Sequence, residues 1–208
     1  MNINFIDLIF FPVLSLLTLI CILGYGIFFN KYIYINEDKI GLKNLIFIQG
    51  LIFIGLVFIF INFFSPISDA LSVTTILLGT LLYIINFLKI KKIKLELYFL
   101  LFVLIFSFIY CFYAGISDDF NYHYETIKNF KNQNLYEILH HRTISYNSHW
   151  LFLTSIFSLS YLNSTLFILT ALFFTISIYD LLKLSFVITK NKNYYLSILS
   201  FFILIFFL

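Results

Sequence analysis

Asp118 and Asp119, here called the acid pair, are the side chains whose type and spacing best suit chemistry in this sequence. Carboxylates are among the groups that general acid–base catalysis uses. On a helix, Asp119 and His123 would be neighbours, because they lie four residues apart. The segment around them, 116–150, also holds all four histidines of the chain and its only tryptophan. We therefore expect the chemical centre of the protein in this segment.

Arg142 is the only arginine in the chain and lies in the same segment. A guanidinium group binds phosphate oxygens in a fixed bidentate geometry, which a lysine ammonium does not offer. At the depth of lipid headgroups, Arg142 would suit a lipid phosphate. An ordinary interfacial cation explains the residue equally well, so both interpretations stay open.

The acid pair and the histidines also have simpler explanations. Ser117 followed by two acids is a typical helix start, at which the side chains only cap the helix. Histidines beside tyrosines commonly anchor a helix at a membrane surface. Aspartate and histidine suit zinc, but no tight ligand spacing such as HExxH is present. We expect no cofactor, with a divalent metal as the open alternative.

The amino-acid composition is that of a membrane protein. Hydrophobic residues make up 62% of the 208 residues and charged residues 11%, whereas a soluble domain has about 25% charged residues. The apolar runs are long enough for helices that span a bilayer, and they lack the alternation of barrel strands. We predict an all-α, polytopic transmembrane bundle. Its partners include membrane lipids and exclude nucleic acid, because the lysines flank the apolar runs.

The apolar runs divide the chain into two parts. Residues 1–94 contain three predicted spanning helices, and 95–208 contain the remaining apolar runs around the polar segment. The predicted spanning helices are 5–29, 45–64, 70–87, 97–115, 165–184 and a shortened one at 194–208. Because the last run falls short of a full span, we expect the chain to be the N-terminal part of a longer protein.

The distribution of lysines predicts the orientation in the membrane, because cytoplasmic loops carry an excess of basic residues. The turn at 65–69 has no lysine or arginine and should lie outside, as should the segment 116–150. The run 151–162 is about half a span, so we predict that it is interfacial and does not cross. The lysine-rich stretches predicted to face the cytoplasm are 30–44, 88–96 and 186–193.

A helical projection of 118–131, at about 100° per residue, separates apolar from polar side chains. The apolar face consists of Phe120, Tyr124, Ile127 and Phe130. The polar face consists of Asp118, Tyr122, Glu125 and Asn129. We predict an amphipathic helix that lies in the plane of the membrane interface with its apolar face toward lipid. A second, short helix is predicted over 134–141.

The hexapeptide at 118–123, Asp-Asp-Phe-Asn-Tyr-His, resembles a motif of the GT-C superfamily of integral-membrane glycosyltransferases. Relatives include the protein O-mannosyltransferases and the aminoarabinose transferase that modifies lipid A. The order of elements between 88 and 208 is also similar. The resemblance implies an enzyme of the bacterial inner membrane, with its site facing the periplasm or exterior. Such an enzyme moves a sugar from a polyprenyl-phosphate-linked donor to a lipid, polysaccharide or protein acceptor.

The resemblance also implies a role for each residue of the site. Asp118 would be the general base, and Asp119 would assist it or orient the acceptor. Tyr122 and His123 would line the pocket. Arg142 would hold the phosphate of the donor.

The chain departs from relatives at Tyr124-Glu125, where Leu-Pro is common. It also departs in the position of the acid pair, which follows the fourth predicted helix here and usually the first helix in relatives. Two other classes therefore stay open. A multi-pass transporter or lipid-binding membrane protein would be favoured by charge pairs inside the membrane, for which the sequence offers Asp180 with Lys183 as a local partner. The other class is a polymerase or ligase of surface polysaccharide. No P-loop, GxGxxG or nucleophile elbow is present.

Overall fold

The computed structural model describes residues 5–33, 43–88, 93–113, 120–138, 148–160 and 168–188. Within these ranges the chain is helical and contains no β-strand, which confirms the predicted all-α bundle. The helices are α1 (Phe5–Ile33), α2 (Lys43–Phe64), α3 (Asp69–Phe87), α4 (Ile93–Tyr113), α5 (Phe120–Asn132), α6 (Leu135–Ile138), α7 (Ser148–Phe157) and α8 (Ile168–Ile188).

Among the described residues, four helices are long and apolar enough to cross a bilayer: most of α1, all of α2 and α3, and most of α8. Many large apolar side chains on α2 and α3, such as Phe60 and Leu77, are exposed on the surface of the bundle. Large exposed apolar side chains in this number, on helices of spanning length, are typical of a face that lies against lipid. The chain is therefore a helical membrane protein.

The other two predicted spans have different outcomes. The fourth, 97–115, corresponds to α4, whose 21 residues contain a shorter apolar stretch at Glu96–Ile109. The sixth, 194–208, lies outside the described residues.

Helix α1 packs closely against both α2 and α3. A Cβ atom added at Gly24 would overlap the carbonyl oxygen of Gly79 in α3, and one added at Gly50 in α2 would overlap that of Ile22. Small residues allow helix backbones to approach in this way within membranes. The pairs of contacting residues show that α1 runs parallel to α3 and antiparallel to α2.

The bundle therefore has two distinct ends. The end at which α2 finishes and α3 begins, at residues 64–69, is called the turn end. The opposite end, at which α2 begins with Lys43, is called the lysine end. Helix α8 runs toward the lysine end, because Tyr179 in its second half stacks edge-on against Phe99 near the start of α4, with ring centroids 4.7 Å apart.

Helices α5 and α7 form a layer at the turn end. The backbone N–H of Ile67 in the turn donates to the carbonyl of Phe130 in α5 at 3.1 Å, and the ring of Phe130 meets that of Phe152 in α7 with centroids 5.2 Å apart. The indole N–H of Trp150 donates to Thr170 near the start of α8 at 3.3 Å. Helix α7 has 10 residues, or about 15 Å at 1.5 Å per residue, which is half of a bilayer core.

Labelling of single cysteines will test the predicted orientation. In a variant without Cys21 and Cys111, a membrane-impermeant maleimide added to intact cells should label Asn132→Cys at the turn end and not Leu88→Cys. Leu88 directly follows α3 at the lysine end and is 77% exposed, so a lack of label there reflects sidedness and not burial. Labelling of Leu88→Cys alone would place 116–150 in the cytoplasm and contradict the prediction.

Candidate functional site

The predicted site residues fall into two groups with respect to the structure. Tyr122 and His123 lie in the first turn of α5, which begins directly after Asp119 in the sequence. Asp118, Asp119 and Arg142 lie outside the described residues. The structure therefore shows where the helix that follows the acid pair is held, and the roles of the five side chains stay predictions.

Helix α5 lies within the predicted amphipathic segment, and protein covers the two residues of its apolar face whose side chains the structure describes. Ile127 is 4% exposed and Phe130 is 1% exposed, whereas Glu125 and Lys128 are exposed. The prediction that this face would lie on lipid is wrong for these two residues. Phe130 belongs to the hydrophobic core and meets Phe152 of α7, so α5 is fixed to the protein.

Polar contacts hold the C-terminal end of α5 at the turn end. The Lys131 ammonium is 2.9 Å from Asp69 Oδ1 and 2.7 Å from Ser72 Oγ, both at the start of α3. Asp69 in turn accepts hydrogen bonds from the backbone N–H and the hydroxyl of Ser160, just beyond α7. These four residues, here called the Lys131 junction, join α3, α5 and the segment after α7.

The Lys131 ammonium is shielded from solvent, since its side chain is 6% exposed. Burial lowers the pKa of Lys131, and the hydrogen bond and the negative charge of Asp69 offset part of that shift. An ammonium withdrawn from water needs such partners, because an unpaired buried charge is costly. The junction therefore depends on both charges.

A second polar cluster lies at the lysine end. The Lys43 ammonium contacts both carboxylate oxygens of Glu96 at 2.6 and 2.7 Å, and the Tyr83 hydroxyl donates to Glu96 at 2.6 Å. Asp180 in α8 accepts hydrogen bonds from the backbone N–H groups of Lys43 and Asn44, at 3.2 and 2.7 Å. A carboxylate in this position satisfies orphan donors at the start of α2 and complements its dipole.

The lysine-end cluster extends the prediction made for Asp180. The positive charge of Lys183 acts on Asp180, as the sequence suggested. The Asp180 carboxylate also caps α2, where Asn44 is 136 residues away in the chain. The sequence carries only a weak signal for the contact between Glu96 and Lys43, since Glu96 is a single acid beside the lysine-rich stretch near the start of α4.

Breaking the pair between Lys43 and Glu96 should destabilise the fold. The side chains are 18% and 9% exposed, and Lys43→Met would leave a buried carboxylate without its counter-charge, at a cost of about 3 kcal/mol. The melting temperature in detergent should fall for Lys43→Met and for Lys43→Glu, and should recover in part when Glu96→Lys is added to the latter. Unchanged melting of the single variants would show that the pair contributes as little as a surface ion pair.

Neither cluster resembles a metal centre. In the part of the chain that the structure describes, no group of three or more histidine, cysteine, aspartate or glutamate side chains could hold a metal ion. Comparisons of the chain with known protein families, with curated proteins and with solved structures find no match. The fold thus defines a class, a helical membrane protein with a layer of short helices at one end, and its function is argued below.

Proposed function

We propose that the protein is a membrane glycosyltransferase that moves a sugar from a polyprenyl-phosphate-linked donor to an extracytoplasmic acceptor. The observation that carries this proposal is the placement of α5. This helix begins one residue after Asp119 and is fixed to the turn end of the bundle through Lys131 and Phe130. A catalytic carboxylate needs such a rigid support to stay aligned with its target.

The reaction requires one proton acceptor and one group that stabilises the departing phosphate. The Asp118 carboxylate takes the proton of the acceptor hydroxyl while the hydroxyl oxygen bonds to the anomeric carbon of the sugar. The bond between that carbon and the phosphate oxygen breaks, and polyprenyl phosphate leaves with the bonding electrons. Arg142 binds the phosphate oxygens, and Asp119 orients the acceptor.

The position of the layer that α5 and α7 form at the turn end agrees with a lipid-linked donor. The turn end has no lysine or arginine in its turn and is predicted to lie outside. A donor anchored by its polyprenyl chain presents its phosphate at the level of the headgroups, next to the layer formed by α5 and α7. A soluble sugar nucleotide would instead call for a phosphate-binding loop in the cytoplasm.

Sugar transfer can be tested without knowledge of the acceptor. Membranes that contain the protein are incubated with a panel of polyprenyl-phosphate monosaccharides, and mass spectrometry measures the release of free polyprenyl phosphate. We expect release from at least one donor above the level of membranes without the protein. Intact donor in every reaction would contradict the proposal.

A second candidate function is transport of a lipid or lipid-linked molecule, and one observation favours it. The bundle holds an ion pair at each end, Lys43 with Glu96 and Lys131 with Asp69. Charged pairs that join different helices at opposite ends could act as gates. Movement of an intact labelled donor between the two leaflets of a proteoliposome, without release of polyprenyl phosphate, would support this candidate.

Arg142→Lys should weaken use of the lipid donor, because a lysine ammonium cannot form the two parallel hydrogen bonds of a guanidinium. Loss of one hydrogen bond to a charged group costs about 1.5 kcal/mol, so the KM for the donor should rise about tenfold. The kinetics of polyprenyl phosphate release measure this change. An unchanged KM would assign Arg142 to an ordinary interfacial role.

A further inference from the structure

We propose that Lys131 is a positioning residue of the candidate transfer site, which it serves by fixing the orientation of α5. This inference rests on the proposed function. Lys131 lies in the last turn of α5, whereas Tyr122 and His123 lie in the first turn. Eight residues of helix separate Lys131 from His123, or about 12 Å, so Lys131 acts through the helix and not by contact with the substrate.

The hydrogen bonds of Lys131 fix both the depth and the rotation of the helix. The ammonium has two partners in different directions, the Asp69 carboxylate and the Ser72 hydroxyl. The carbonyl of Phe130, the preceding residue, accepts from the N–H of Ile67. Two adjacent residues of α5 are thus bound to the turn end, one through the side chain and the other through the backbone.

The segment after α5 is fixed as well, which restricts the helix from its C-terminal side. The Asn134 side chain accepts from the N–H of Glu137 at 2.9 Å, and the Glu137 carboxylate accepts from the N–H of Asn134 at 3.2 Å. This reciprocal arrangement is a capping box at the start of α6. Ile138 at the end of α6 is 2% exposed, so α6 is itself packed into the protein.

The ion pair between Lys131 and Asp69 is partly buried, since the Lys131 side chain is 6% exposed and the Asp69 side chain is 32% exposed. Apolar residues in place of a withdrawn ammonium and its partner often give equal or greater stability, because no charge then has to leave water. Phe130 already supplies an apolar anchor at the same place. What Lys131 adds is direction, since hydrogen bonds to two defined oxygens allow fewer orientations than an apolar contact.

The helix provides its own control. Lys128 lies one turn earlier on α5 and is exposed, so Lys128→Met and Lys131→Met make the same chemical change on the same helix. Lys131→Arg keeps the charge, and Ser160→Ala removes only the hydroxyl hydrogen bond to Asp69 and keeps those from the backbone N–H. These milder variants preserve the test if Lys131→Met fails to accumulate in the membrane.

The experiment measures kcat for polyprenyl phosphate release and, independently of activity, the distance between two spin labels. Spin labels are attached at Asn121→Cys in the first turn of α5 and at Leu88→Cys at the lysine end. Pulsed electron paramagnetic resonance measures the distance between them, which reports the orientation of α5. Lys131→Met should broaden the distribution of distances and lower kcat for polyprenyl phosphate release by on the order of 10²-fold. Lys128→Met should leave both unchanged, and Lys131→Arg and Ser160→Ala should give intermediate values that change together.

The outcomes separate this inference from the proposed function. A broadened distribution with unchanged kcat, or a lost kcat with an unchanged distribution, would overturn the positioning role. Equal effects of Lys128→Met and Lys131→Met would also overturn it. If the wild-type protein releases no polyprenyl phosphate, the proposed function fails, and an unchanged distance distribution in Lys131→Met would refute the fixing of α5 independently.

Discussion

Asp118→Asn is expected to lower sugar transfer by about 10²-fold or more while the protein still inserts and folds. The amide keeps the shape of the side chain and can accept a hydrogen bond at a helix start, but it cannot take the proton of the acceptor. Loss of a general base typically costs 10²-fold to 10⁴-fold in rate, as an order of magnitude. Release of polyprenyl phosphate by membranes with equal amounts of each protein measures the effect.

Two further variants make this result specific to Asp118. Asp119→Asn should cost less, because Asp119 is proposed only to orient the acceptor. Glu125→Gln removes an exposed carboxylate from the next turn of α5 and should retain full activity. If the acid pair only caps the helix, both aspartate variants would stay active, with about 1 kcal/mol of stability lost.

Gly24→Ala should cause a large loss of folded protein. The added methyl group would overlap the Gly79 carbonyl oxygen and lie 2.9 Å from the backbone nitrogen of Tyr83. Both are backbone atoms, so α1 and α3 would have to separate. Helix propensity alone predicts the opposite sign, because alanine favours a helix by about 1 kcal/mol over glycine. The amount of monodisperse protein in detergent and its melting temperature measure the outcome.

Gly55→Ala is the matched control for this prediction. Gly55 lies in the middle of α2, and an added methyl group would meet only the end of the Leu153 side chain at 3.0 Å. That side chain can move at little cost, so the variant should accumulate and melt like the wild type. Equal stability of Gly24→Ala and Gly55→Ala would contradict the close packing of α1 against α3.

Helix positions could be predicted from the sequence because they depend on local properties. The lengths of the apolar runs predict α2 and α3 to within two residues at each end, and the periodic pattern of 118–131 predicts α5. The same pattern placed Ile127 and Phe130 on an apolar face that we expected to lie on lipid, whereas protein covers both residues. A helical projection identifies an apolar face, and only the tertiary structure shows whether lipid or protein covers it.

The Lys131 junction and the lysine-end cluster could not be predicted in the same way. Lys131 and Asp69 are 62 residues apart in the chain, and Lys43 and Glu96 are 53 residues apart. Nothing local to Asp69 or Glu96 in the sequence indicates a distant ammonium, because both acids lie near the start of a helix, where acids are common. Tyr122 and His123 were predicted on one helix and are found in the first turn of α5. Their relation to Asp118, Asp119 and Arg142 stays a prediction.

The central claim, that sugar transfer takes place at the segment 116–150, is tested most directly by locating the bound donor. A polyprenyl-phosphate sugar that carries a diazirine on the sugar ring is irradiated in membranes containing the protein, and the modified peptides are identified by mass spectrometry. We predict label within 116–150, reduced by an excess of unmodified donor. Competable label at the lysine end, around Lys43 and Asp180, would contradict the claim.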